Sequence, residues 1–140
     1  MDISQLDEVA RYLENHEVDG LDKECIVRLS CSKHYYHLFH LICSWLCEKF
    51  KDTYECAGGK THQSIRVACE LLAEKLQDKD FKKLAMKLKQ LHDLRVHADY
   101  RLDKVFSKNS IYLMTIEKQK IIELIEKLNK TYLQAELMKA

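Results

Sequence analysis

Residues 28–50 read RLSCSKHYYHLFHLICSWLCEKF, a run with neither Pro nor Gly. Taken in steps of three and four, Leu29, Ser32, Tyr36, Phe39, Cys43, Leu46 and Phe50 form one stripe, the pattern of a helix with a face turned to a core. Leu38, Leu41, Ile42 and Trp45 form a second stripe on nearly the opposite side. A helix that is apolar on two sides needs cover from two directions, which puts this segment at the centre of an all-α bundle. A second copy of the chain is the economical cover for the outer stripe, because homodimers dominate soluble oligomers. The first or the last helix of the same chain is the alternative.

The flanking sequence extends that reading. The chain has 140 residues, is 46% hydrophobic and contains no Pro and three Gly, so it is long enough for one core and lacks the punctuation of strands and tight turns. A single domain spanning 1–140 is expected, an antiparallel four- to five-helix bundle. The segments are about 4–16, opened by Ser4 with Asp7 in capping position; 21–50; 62–76, capped by Thr61 after a Gly58-Gly59 loop; 80–103, capped by Asp80; and 112–137, after the turn FSKNS.

Charge is segregated along the chain. Residues 1–24 carry eight acids against two bases, a net of −6, which leaves +7 for the remainder of a chain whose formal net charge is +1. Residues 79–104 hold eight Lys or Arg against four Asp, a basic stretch that suits phosphates or a solvated helix face. Neither a charged leader with an apolar run nor a spanning segment stands out, so a cytoplasmic protein without membrane contact is expected. The six cysteines read as free thiols, since Cys25, Cys31, Cys43 and Cys47 fall within one helical pattern. His37, His40, Cys43 and Cys47 extend about 15 Å along that helix, too far to share one ion, so no metal and no cofactor are expected.

One residue breaks the apolar register. Leu84, Leu88, Leu91, Arg95, Ala98 and Leu102 follow the spacing of a core face, and Arg95 sits where a leucine belongs. An unpaired buried guanidinium costs several kcal/mol, so it needs partners. Asp99 lies one turn on, and Tyr36 and His40 of the long helix are placed to reach it across the bundle. Such a cluster either clasps two helices or grips a phosphate.

In order, Arg28, Ser32, Tyr35-Tyr36 and Phe39-His40, then Lys60-Thr61-His62, then Arg95-Val96-His97-Ala98-Asp99-Tyr100 resemble the HEPN superfamily, the higher-eukaryote and prokaryote nucleotide-binding domain. The small stand-alone bacterial members are the best likeness, over about residues 21–128. The resemblance implies a helical bundle that often dimerises and serves in toxin–antitoxin or anti-phage systems as a metal-independent ribonuclease. A cognate antitoxin or a nucleotidyltransferase is the partner it implies.

The sequence departs from the nuclease branch at one point, because no His follows Arg95 at the family's Arg-x4-6-His spacing; Tyr100 stands at the nearest position. A phenol, with a reference pKa of about 10, accepts protons poorly at neutral pH. His97 lies roughly 200° around the helix from Arg95, leaving His92 and His40 as candidate bases. The expectation is an RNA- or nucleotide-binding protein in which Arg95, Asp99, Tyr36, Lys33 and His62 bind. Arg95, His40, His92 and Tyr100 are its candidate catalytic groups if it acts as an endoribonuclease. The alternative is a non-catalytic helical dimer, an interaction module in which Arg95 and Asp99 are purely structural.

Overall fold

A computed structural model describes residues 1–139, with side chains through Tyr132. Six helices follow one another: α1 (Ser4–Asn15), α2 (Lys23–Lys49), α3 (Lys51–Cys56), α4 (His62–Leu76), α5 (Lys79–Tyr100) and α6 (Lys108–Lys139), with no strand among the described residues. The protein is an all-α bundle in which the long α2 is flanked by α1, α5 and α6.

Local chemistry sets most of the ends. The Asp22 carboxylate accepts from the backbone N–H of Cys25 at 2.8 Å and starts α2. Thr61 caps α4, its hydroxyl oxygen accepting from Ser64 N–H at 3.0 Å, and Gln77 closes that helix in the left-handed conformation. Three expectations at helix ends are corrected. Asp78, not Asp80, caps α5, because Asp80 is drawn into an ion pair with Lys127 of α6 at 2.9 Å. Asp7 caps nothing, since Lys118 and Arg11 hold it, and Asp2 accepts from Ser4 N–H instead. The expected loop before Gly58 contains the short α3, which buries Tyr54 and so adds a sixth helix.

Both faces of α2 are covered within the chain. Leu38 and Ile42 are fully buried, and Trp45 donates its indole N–H to Asn129 of α6 at 3.3 Å while stacking on Phe81 of α5. The outer stripe is therefore core except for half-buried Leu41, and the surface invoked for a second copy is filled by the chain's own α5 and α6. Leu29, expected on the inward stripe, is exposed, as is Leu102, which lies beyond the end of α5. The remaining register of α5 holds: Leu84, Leu88, Leu91, Arg95 and Ala98 are all buried.

Arg28 decides where α5 ends. The residue is 8% exposed, and its guanidinium donates to the carbonyls of His97 (2.9 Å), Ala98 (3.0 Å), Arg101 (3.2 Å) and Lys104 and pairs with Glu24 at 3.1 Å. Glu24 in turn accepts from Phe106 N–H, and the Phe106 ring lies under the guanidinium at 5.2 Å. A helix leaves its last carbonyls short of internal partners; one arginine satisfies that of Ala98, joins the Arg101 N–H on that of His97, and serves two more from the following loop. Among the described residues no helix is long and apolar enough to cross a membrane.

Candidate functional site

The seam between α2 and α5, closed at one end by the start of α4, gathers most of the residues singled out above. Arg95 is 7% exposed; its Nε donates to Asp99 Oδ2 at 2.9 Å and its Nη2 to the Tyr36 hydroxyl. The guanidinium lies 4.9 Å from the centre of the Tyr36 ring and 5.3 Å from that of Tyr100, so both aromatic residues pack on one cation. Ser32 Oγ donates to the same Asp99 oxygen at 3.1 Å, which ties α2 to α5 a second time.

Next to this clasp is a knot of rings. His62, the first residue of α4 and placed by the Thr61 cap, lies 4.4 Å from Phe39 and 4.9 Å from His92, centroid to centroid. Its Nδ1 shares a 2.8 Å hydrogen bond with the hydroxyl of Tyr35, which is 1% exposed. Burial, aided by the charges of His92, Arg95 and Arg66, pulls the His62 pKa down to about 4. His92 is also lowered, first by burial and then by Arg66 and Arg95. His40 is lowered by burial and by Lys60.

Arg66, one turn along α4 from His62, was not singled out by the sequence. Its Nη1 is buried without a hydrogen-bond partner among the described residues. The signal that would have found it is its i,i+4 relation to His62, which puts both on one face of α4. Around the seam, Arg66, Arg95, Lys60 and three imidazoles face few acids. Asp99 is taken by Arg95, and the exposed Asp93 pairs loosely with Lys89 at 3.8 Å and His92 at 3.9 Å.

The structure sorts the sequence candidates. Arg95, Asp99, Tyr36 and Tyr100 meet directly, and the tilted rings of His62 and His92 pack beside them. His40 packs on Phe39 toward Lys60 and makes no hydrogen bond to Arg95 among the described residues, so the reach across the bundle expected of it is replaced by that of Tyr36. Lys33 is half-buried on α2 and forms no ion pair among the described residues. His97 turns away from Arg95 and packs on Phe106 at 5.4 Å.

A second polar cluster joins α1, α2 and α6. Lys118, 4% exposed, donates to Asp7 Oδ1 at 2.7 Å and to His34 Nδ1 at 3.1 Å, and the opposite nitrogen of His34 donates to Glu14. These residues border a cleft of about 370 Å³ together with Arg11, His37 and Thr115. Burial lowers the pKa of His34, with Lys118 adding to the effect, and burial likewise lowers that of Lys118. Among the described residues no three of His, Cys, Asp and Glu converge to hold a metal ion.

Compared with protein-family models, with curated proteins and with solved structures, the chain matches none.

Proposed function

We propose that the seam between α2, α4 and α5 binds RNA or a nucleotide through its phosphate. The observation that carries this reading is the convergence of two arginines and two pKa-lowered histidines with a buried arginine donor, Arg66 Nη1, that has no protein partner. Burial first, and then the neighbouring positive charges, lower these histidines, and few acids face those charges, which suits an anion; guanidinium is the group best shaped to grip a phosphate. The motifs running from Arg28 to Tyr100 support it, since they resemble a nucleotide-binding superfamily.

The arrangement also supports metal-independent RNA cleavage. Arg66 and Arg95 steady the scissile phosphate, and His92 takes the proton of the 2′-hydroxyl as that oxygen attacks phosphorus. The 5′-oxygen then leaves with a proton from solvent, and a 2′,3′-cyclic phosphate remains. His92 suits the role better than His40, being on the same helix as Arg95 and nearer the ring knot. On this reading the protein serves in a toxin–antitoxin or phage-defence system, alongside a cognate antitoxin or nucleotidyltransferase.

One observation favours the non-catalytic alternative. The Arg95 side chain is already committed to Asp99 and Tyr36, the arrangement of a structural clasp. Titration of a labelled single-stranded RNA at several salt concentrations separates the two. Binding that weakens at least tenfold in Arg66→Ala and has a linear log–log salt slope supports the phosphate site. Wild-type protein with no measurable affinity at low salt would leave the interaction module. Incubation of RNA in excess chelator, with the ends of the products analysed for cyclic phosphate, tests the cleavage step.

A further inference from the structure

We infer that Tyr35 is a positioning residue: its buried hydroxyl donates to Nδ1 of His62, so that His62 offers a neutral Nε2–H to the ligand and acts as a hydrogen-bond donor, not as a base. The role toward ligand rests on the phosphate-site reading above; the assignment of the proton rests on geometry alone.

The Tyr35 hydroxyl sits on a side chain 1% exposed, and its one hydrogen-bond partner among the described residues is His62 Nδ1 at 2.8 Å. A hydroxyl carries one proton and needs an acceptor for it; a neutral imidazole has one donor and one acceptor nitrogen. If His62 donated through Nδ1, the phenol proton would be stranded in a desolvated place, the costly case of a buried donor left unmade. If Tyr35 donates, the bond is satisfied and the single imidazole proton must sit on Nε2.

Everything that packs on the ring keeps it neutral and in place. From α2 come Tyr35, Tyr36, Phe39 and His40, from α5 His92 and Arg95, and from α4 itself Arg66. None of these is an acid, so nothing nearby favours a second proton, and burial holds the Tyr35 phenol above its ordinary pKa and so as a committed donor. An Nε2–H fixed this way can bond a phosphate oxygen without taking up a proton, and it leaves His92 as the imidazole free to act as base.

Long-range proton–nitrogen NMR of the nitrogen-labelled protein at pH 7.5, without ligand, reads the tautomer directly. The expected spectrum has His62 Nδ1 as the unprotonated, pyridine-like nitrogen and Nε2 as the protonated, pyrrole-like one. In Tyr35→Phe, with folding checked by circular dichroism, the Nδ1-protonated form becomes populated. A protonated Nδ1 in the wild type, or a tautomer unchanged in Tyr35→Phe, overturns the positioning role. Titration with inorganic phosphate and then with uridine monophosphate should move the Nε2–H resonance downfield. An unmoved resonance in protein that still binds RNA overturns the donor role, whereas absent RNA binding sinks the functional reading and leaves the tautomer decided by the ligand-free spectrum.

Discussion

Replacing Arg28 with alanine unfastens the end of α5, and the cost follows from the bonds lost. The guanidinium serves four carbonyls, of which those of Arg101 and Lys104 lie in the exposed loop and can turn to water, while those of His97 and Ala98 close the helix beneath the side chain. The His97 carbonyl keeps a bond from the Arg101 N–H at 3.2 Å, so the Ala98 carbonyl is the acceptor left unsatisfied in the interior, and at about 1–3 kcal/mol for such a group it sets the expected loss. Glu24 keeps its bond from Phe106 N–H and sits in water, adding little. For a chain of this size, at roughly 4 °C per kcal/mol, the melting temperature falls by about 4–12 °C.

Arg95→Ala is the matched control. It strands Asp99, but that carboxylate keeps the Ser32 bond and a quarter of its surface in water, so a loss of about 1–2 kcal/mol is expected. Lysine at position 28 recovers only part of the deficit, because three donors on one compact nitrogen cannot reach carbonyls that a planar fork spans. Urea unfolding followed by circular dichroism measures all three variants against wild type. An Arg28→Ala loss below about 1 kcal/mol would refute the assignment of Arg28 as the fastening of α5.

Stability should fall as pH drops below 6.5. His34, His37, His62 and His92 all have folded pKa values lowered from 6.5, so the unfolded chain takes up more protons, and the stability present above 6.5 is lost as pH falls toward the folded values, about 4 for His62. Thermal melts from pH 7.5 to 4.5 should show this decline, shallower in His62→Gln; an identical slope in that variant would contradict the environment described for His62. Arg66→Ala should lower RNA affinity at least tenfold, measured by fluorescence anisotropy, and leave the melting temperature nearly unchanged, since its buried Nη1 bonds nothing in the protein. Ile42→Asp should unfold the chain, because Ile42 is wholly interior and a carboxylate there has no partner; a folded monomer by size-exclusion chromatography would show that the site faces outward.

What residues 28–50 and their flanks determined by themselves is local. The cap at Thr61, the unbroken helical period of α2, and the intrusion of Arg95 among Leu88, Leu91 and Ala98 all depend on neighbours three or four residues apart, which a sequence displays directly. From that followed the all-α bundle and the pairing of Arg95 with Asp99, whereas of Tyr36 and His40, both expected across the bundle, packing brings Tyr36 alone to the guanidinium. What only the tertiary structure decided depends on distances between helices. The chain's own α5 and α6 cover the second face of α2, so Trp45 meets Asn129 and Phe81. Arg28 reaches across some seventy positions to end α5, which leaves Leu102 in solvent. Arg66 and His62 join the seam because α4 closes it, and Lys118 meets Asp7 and His34 because α1 and α6 flank the same side of α2. Periodicity names the side of a helix that is buried, but the partner on that side, and so whether a buried charge is clasped or left free for a ligand, is set by how whole helices pack.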